Sequence, residues 1–300
     1  MSVLKEIRRR ITSVGSTKQI TKAMKLVSAA KLKKAQDLMH NGQNFAFKLG
    51  EIIINSIEDV KRQGAIFAHP LLEHRKKINK VRIIVIGADR GLCGGYNVNL
   101  FKALEEEVAS FGAEVEFVLF GRQAVNIARR LNYQVVREYI DLPEQIQLWP
   151  IEELTYEVIG DFISGKCDKL YICYTKFNST VSQKVVIEKI LPFSVVDLAL
   201  NKESLGQVKG TGVSTRGVKY SSSPQDILAK VMPIMMTVII KQAIFIAKTS
   251  EHAARMTAMD SATHNADELI ANLKLFYNRA RQSSITTELL DVLGGANAVK

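Results

Sequence analysis

Apolar residues in the first sixty positions recur at steps of three and four. Leu4, Ile7, Ile11 and Val14 form one such run, Ile20, Met24 and Val27 a second, and Phe45, Leu49 and Ile52 a third. A stripe advancing about 3.5 residues per step is the seam of a coiled coil. No proline occurs before Pro70, so the pattern predicts one continuous helix from residue 2 to about 60. At the usual rise it would be roughly 85 Å long. Gly15, Gly42 and Gly50 lie inside it, each costing up to about 1 kcal/mol relative to alanine. A single helix cannot bury its own stripe, and residues 223–300 supply a partner. Ser223-Pro224-Gln225-Asp226 reads as a helix start, with a serine cap, proline in the first turn and an acid at the positive end of the helix dipole. Ala266, Ile270, Leu273, Tyr277 and Ala280 repeat the coiled-coil interval, and Gly294-Gly295 reads as a stop. Two seams at opposite ends of one chain predict an antiparallel pair.

The middle of the chain has a different period. VRIIVIG (81–87), VEFVLFG (115–121), YQVVREY (133–139) and KLYICYTKF (169–177) are short β-branched runs, with amphipathic segments near 97–110, 122–131 and 151–164 between them. That alternation predicts a mostly parallel sheet with helices on its faces. KVVIEKILPF (184–193) reads as an edge strand ending at Pro192. The fold class is therefore α/β plus coiled coil: long antiparallel N- and C-terminal helices with an inserted Rossmann-like α/β domain. The expected divisions are a coiled-coil helix at 1–60, a linker at 61–77, the α/β domain at 78–200, a mobile Gly/Ser/Lys-rich loop at 201–222 and a second coiled-coil helix at 223–300.

Composition refines this picture. The 300 residues are 47% apolar and 24% charged, as in a soluble globular protein. The apolar stretch 232–247 is shorter than the roughly 20 residues of a membrane span. It also contains Pro233, Lys241 and Gln242, and so reads as a buried helix. The first helix has no secretory pattern and reads as mature protein. Three cysteines without a CxxC pair fit a reducing compartment. The net charge of +11 is concentrated: residues 1–39 hold ten Lys/Arg against Glu6 and Asp37, whereas residues 251–300 hold five against six acids. Such a helix calls for an acidic partner. Its apolar seam, and the lack of aromatic residues before Phe45, favour a protein partner over nucleic acid.

Candidate chemistry is sparse. GADRGLCGGYN (87–97) follows a strand and opens a helix, where backbone N–H groups can hold a phosphate. It is neither a P-loop nor GxGxxG, and the plainer reading is a tight turn using Gly91, Gly94 and Gly95. A nucleotide-binding α/β enzyme built on Gly91–Gly95 is the alternative function. The five histidines have no metal-ligand spacing, Cys93 has no base tied to it by a signature, and GxSxG is absent. No catalytic residue, cofactor site or metal site is expected.

ITSVGSTKQITKAMKLVSAAKLKKAQ (11–36) resembles the N-terminal signature of the gamma subunits of F-type rotary ATP synthases. EHAARMTAM (251–259) and YNRARQSSITTELLDVLGGANAV (277–299) resemble their C-terminal signature, and GADRGLCGGYN their central turn. The resemblance implies a non-catalytic rotor stalk, a peripheral membrane subunit coupling proton-driven rotation of a membrane ring to conformational cycling of catalytic beta subunits. Implied partners are the alpha and beta subunits, the epsilon subunit and the membrane-embedded c-ring, at the cytoplasmic face of a bacterial inner membrane. Carried over by position, Lys22, Met24 and Lys25 match the segment facing an acidic loop of beta, and Arg255, Arg281, Gln282, Thr286 and Glu288 match positions that contact beta or brace the helices. Two positions depart from the family pattern. Thr287 stands where glutamine is common, and Tyr220-Ser221-Ser222-Ser223-Pro224 lacks the acid of a YxYEPS-like stretch.

Overall fold

The structure, a computed structural model, describes residues 2–62, 69–193 and 223–298; the expected mobile loop at 201–222 lies outside them. Helix α1 (Ser2–Arg62) has the predicted extent, uninterrupted by its three glycines. Its first run is as expected, with Ile7 buried and Leu4, Ile11 and Val14 half-buried, and the seam departs from the expected one further along. The buried residues from the second seam onward include Thr21, Ser28, Leu32, Ala35, Met39, Ala46, Ile53, Ser56, Ile57 and Val60, with Leu49 of the expected third run, whereas Ile20, Val27, Phe45 and Ile52 are exposed. The observed spacing is still heptad-like. It runs through small and polar residues that a search for large apolar side chains passes over, because close helix approach selects small side chains.

The central elements follow in alternation: β1 (Lys80–Ile86), α2 (Tyr96–Val108), β2 (Glu114–Phe120), α3 (Arg122–Arg130), β3 (Gln134–Tyr139), α4 (Ile151–Ile163), β4 (Lys169–Phe177) and β5 (Gln183–Leu191). The strands form one sheet in the order β3-β2-β1-β4-β5. β1 pairs in parallel with β2 and β4, and β2 with β3, while β5 runs antiparallel to β4 at the edge. Six of the seven β1 residues are buried because both sheet faces are covered. Val81, Ile83 and Val85 face α2 and α3 with Phe117 and Leu119. Ile84 and Ile86 point the other way, into a larger core with α4, Met39–Val60 of α1 and Leu228–Ala247 of the last helix.

That last helix, α5 (Pro224–Ala298), starts as the sequence predicts. The Ser223 hydroxyl accepts from the Asp226 N–H at 3.2 Å and donates to its carboxylate at 2.7 Å. The expected stop at Gly294-Gly295 is absent: α5 runs on to Ala298. Each glycine weakens a helix by only about 1 kcal/mol and stops it only where the chain takes a left-handed turn. By length and composition α5 contains a stretch apolar enough to cross a membrane. Its Met232, Met235, Met236, Ile240 and Ile244 are instead buried in the core. The chain divides into two compact units, residues up to Ala30 with those from Arg255, and Lys31–Ala254. Both long helices contribute residues to each.

Candidate partner-binding surface

The first unit is a helix pair. Lys18 of α1 forms an ion pair with Asp267 of α5, the Thr21 and Thr263 hydroxyls are hydrogen-bonded at 2.8 Å, and Lys25 Nζ donates to Asp260 at 2.6 Å. As the α1 number rises the α5 number falls, so the helices are antiparallel. Lys18 and Lys25 are seven residues apart, as are Asp260 and Asp267, so the ion pairs recur once per heptad and fix the register. On α5, Ala266 is buried, and Ile270, Leu273, Tyr277 and Ala280 are half-buried, as their spacing predicted. The remaining surface of the pair combines positive charge with exposed apolar side chains. Ile20, Leu26 and Val27 are exposed on α1, and Ile285, Leu289, Leu290, Val292 and Leu293 on α5. A row of leucines left exposed by the described residues marks a surface for another protein.

In the second unit, the glycine-rich turn is occupied by its own chain. The Ala88 N–H donates to Asn97 Oδ1 at 3.0 Å, and the first N–H of α3, at Arg122, donates to Asp89 Oδ1 at 3.1 Å. The Tyr96 N–H closes the turn on the Cys93 carbonyl at 3.3 Å, so the chain passes from β1 into α2 through a self-bonded turn, and Asp89 caps α3 rather than facing an anion. Leu92 and Gly94 adopt left-handed φ values of 61° and 59°, and Cys93 is buried. These features favour the tight-turn reading over the nucleotide site. Among the described residues no group of three or more His, Cys, Asp or Glu could hold a metal ion.

The ATP synthase family model matches residues 3–299. The ATP synthase gamma chain of Pelotomaculum thermopropionicum is 37% identical to this chain, and that of an Exiguobacterium strain 39%, each covering 100% of both chains. The chain belongs to the ATP synthase gamma-chain family. Among solved structures, a chain of the Euglena gracilis mitochondrial ATP synthase, in its OSCP/F1/c-ring assembly, superposes with a TM-score of 0.65 at 18% identity, covering 99% of this chain and 95% of that one. A chain of the Tetrahymena thermophila central stalk and c-ring superposes with a TM-score of 0.58 at 20% identity, covering 81% and 99%. These two likenesses show the fold.

As an ATP synthase gamma chain, the protein is a non-catalytic central-stalk subunit of the F-type rotary complex. Lys22 is exposed and Met24 half-buried on the face of α1 next to the cross-helix contacts. Lys25 is half-buried and engaged with Asp260, which makes it a brace between helices. Arg255 is buried, at 8% exposure. Arg281, Gln282, Thr286 and Glu288 come together on two exposed turns of α5, where Thr286 Oγ1 donates to the Gln282 carbonyl at 2.9 Å and Ser284 Oγ lies 3.5 Å from Glu288. Sequence reasoning missed Lys18, Thr21, Asp260, Thr263 and Asp267, which set the gamma chain's helix register. The signal was there, in basic and acidic residues repeating at seven on the two helices.

Ion pairs also stiffen the α/β domain of this gamma chain. Arg82, 4% exposed, bridges Glu116 at 2.9 Å and Asp161 at 2.5 Å, and Arg75 pairs with Asp168 at 2.7 Å. Burial on its own would raise all three carboxyls. Hydrogen bonds from the guanidinium groups, with Lys80 assisting at Glu116 and backbone N–H groups at Asp168, outweigh it and hold them below the usual range.

Proposed function

We propose that this gamma chain turns inside a ring of alpha and beta subunits, driven by the membrane-embedded c-ring, and that its helix pair biases each beta subunit in turn through unequal contacts. The antiparallel pair locked by Lys18–Asp267, Thr21–Thr263 and Lys25–Asp260 carries the reading. A rotor can change nucleotide affinity only to the extent that it interacts differently with each beta conformer. A helix pair held in one register presents a fixed, non-repeating surface for that purpose.

In this reading Lys22 and Met24 engage an acidic loop of beta, and Lys25 and Arg255 brace the pair. Arg281, Gln282, Thr286 and Glu288 contact the head at the far end of α5. The five-part division at 1–60, 61–77, 78–200, 201–222 and 223–300 is the functional one, with the α/β domain receiving epsilon and the c-ring. The relatives are bacterial ATP synthase gamma chains, which supports a place at the cytoplasmic face of the inner membrane. Co-expression tests this directly: the chain is expected to purify with alpha and beta as an ATPase in which a probe on this chain rotates. A stable ATP-hydrolysing alpha–beta assembly that excludes the chain would end the proposal.

A further inference from the structure

The order β3-β2-β1-β4-β5 creates a topological switch point between β1 and β4, where successive connections leave in opposite directions. In open parallel sheets the crevice beyond the carboxyl ends of such strands is where ligands bind. Here α5 fills it. The Thr175 carbonyl, near the end of β4, accepts from Ser250 Oγ at 2.7 Å, and both residues are buried. From the start of α2, the Tyr96 hydroxyl donates to the Ala247 carbonyl at 3.2 Å. Ala88, Cys93 and Tyr96 form a small apolar cluster against Ala254. Lys248 adds a charged tie, with its ammonium 3.8 Å from Asp89, 2.9 Å from Glu251 and 5.5 Å over the Trp149 ring.

We infer that Ala247–Ala254 of α5 is a built-in ligand of the α/β domain, and that Tyr96, Asp89 and Thr175 form the joint through which the domain passes torque to that helix. The inference deepens the rotor reading and rests on it. Ala247, Ser250, Glu251 and Ala254 share one helix face by their spacing, while Lys248 projects from the flank. Apolar contact alone resists separation but lets a smooth helix slide and turn. Directional hydrogen bonds on the seated face, with a charge tie to one side, resist rotation about the helix axis. Burial adds to this, because a broken hydrogen bond there leaves polar groups unpaired. Burial raises the Tyr96 hydroxyl well above its ordinary pKa, with Glu251 adding to the rise, so the donor stays protonated.

The test uses the complete complex with its alpha and beta subunits immobilised. A rotation probe is attached through Val181→Cys at the exposed tip of the β4–β5 hairpin. The native cysteines are buried and do not compete for the label. The quantity measured is the angular variance of the probe during each catalytic dwell. With Tyr96→Phe and Ser250→Ala combined, the variance should grow about twofold, since two directional ties are lost and the charge tie remains. ATP hydrolysis without load should stay near the parental rate, with the thermal midpoint lowered only by the few degrees that two lost buried hydrogen bonds account for, whereas a general packing defect would lower both further. Arg137→Ala, which removes an exposed pair with Glu157, should leave the variance unchanged. If the double variant does not assemble, Tyr96→Phe and Asp89→Asn are measured singly by the same criterion. Parental variance in variants that rotate normally would overturn the joint. A parental probe that never rotates with ATP would overturn the rotor reading instead.

Discussion

The Thr21 hydroxyl of α1 meets the Thr263 hydroxyl of α5 at 2.8 Å, between the ion pairs Lys18–Asp267 and Lys25–Asp260. Each hydroxyl also lies within reach of a carbonyl on its own helix, Thr21 of Lys18 and Thr263 of Met259, so that one hydroxyl donates to its own helix while accepting from the other. Replacing either threonine by valine should therefore cost about 1 kcal/mol, without stranding its partner. The double replacement should cost less than the sum of the singles. Denaturant unfolding of the four proteins checks this; strict additivity would mean that the two hydroxyls do not interact.

Glycines within α1 should respond in opposite senses. A Cβ on Gly42 would lie 2.3 Å from Gln242 Oε1, on a buried side chain whose Nε2 donates to the Met39 carbonyl at 3.1 Å. Gly42→Ala should displace that amide and lower stability by about 1–3 kcal/mol, despite the better helix former. Gly15 and Gly50 have open space at the same position, so alanine there should raise stability by roughly 0.5–1 kcal/mol. Thermal midpoints that move in the same direction at all three sites would contradict the close approach of Gln242.

Acid should unfold the α/β domain through its ion-paired carboxylates. Asp161, Asp168 and Glu116 have folded pKa values below their unfolded ones. The stability they contribute is therefore full above the unfolded value, near pH 4, and disappears as pH falls through the folded values. The thermal midpoint should change little between about pH 7 and 5 and drop below about pH 4. Asp161→Asn should lower neutral stability by about 2 kcal/mol, less than full stranding of Arg82 would, because Glu116 still pairs with it. The acid limb of its pH profile should be shallower than that of the parent.

The thiols should be inert while the chain is folded. Burial pushes Cys167 up to about 11 and Cys173 up to about 12, and Cys93 is 3% exposed. Alkylation near pH 8 should be slow for all three and should accelerate with unfolding in denaturant, as mass spectrometry of labelled peptides would show. Rapid labelling of Cys173 in folded protein would mean that the sheet core opens.

The exposed residues proposed as contacts should affect the motor without affecting the fold. Lys22→Ala and Arg281→Ala should change unfolding free energy by no more than about 0.5 kcal/mol, as is usual at a surface. In the assembled complex they should lower ATP-driven proton pumping more than ATP hydrolysis. An unchanged pumping-to-hydrolysis ratio in both variants would remove these residues from the contact set.

Local signals carried much of the fold. Pro224 and the Ser223 cap started α5 at the residue the sequence marks, and KLYICYTKF became β4 with the bounds of its apolar run. The α5 seam through Ala266, Ile270, Leu273, Tyr277 and Ala280 was legible because every member is apolar. The α1 seam was legible in its first run and at Leu49, but not through Thr21, Ser28 and Ala35, which are buried only by virtue of what lies opposite them.

The sequence by itself determined where helices and strands form, that the positive charge belongs to α1, and which family the chain resembles. Those properties depend on residue type and spacing over a few turns, and such patterns survive without knowledge of the partner. Tertiary structure decided the register of the helix pair, the placement of Lys25 against Asp260, and the filling of the sheet's crevice by α5. Each is a contact between residues far apart in the chain. A hydroxyl or an ammonium has many acceptable partners, and only packing brings one of them within hydrogen-bonding distance.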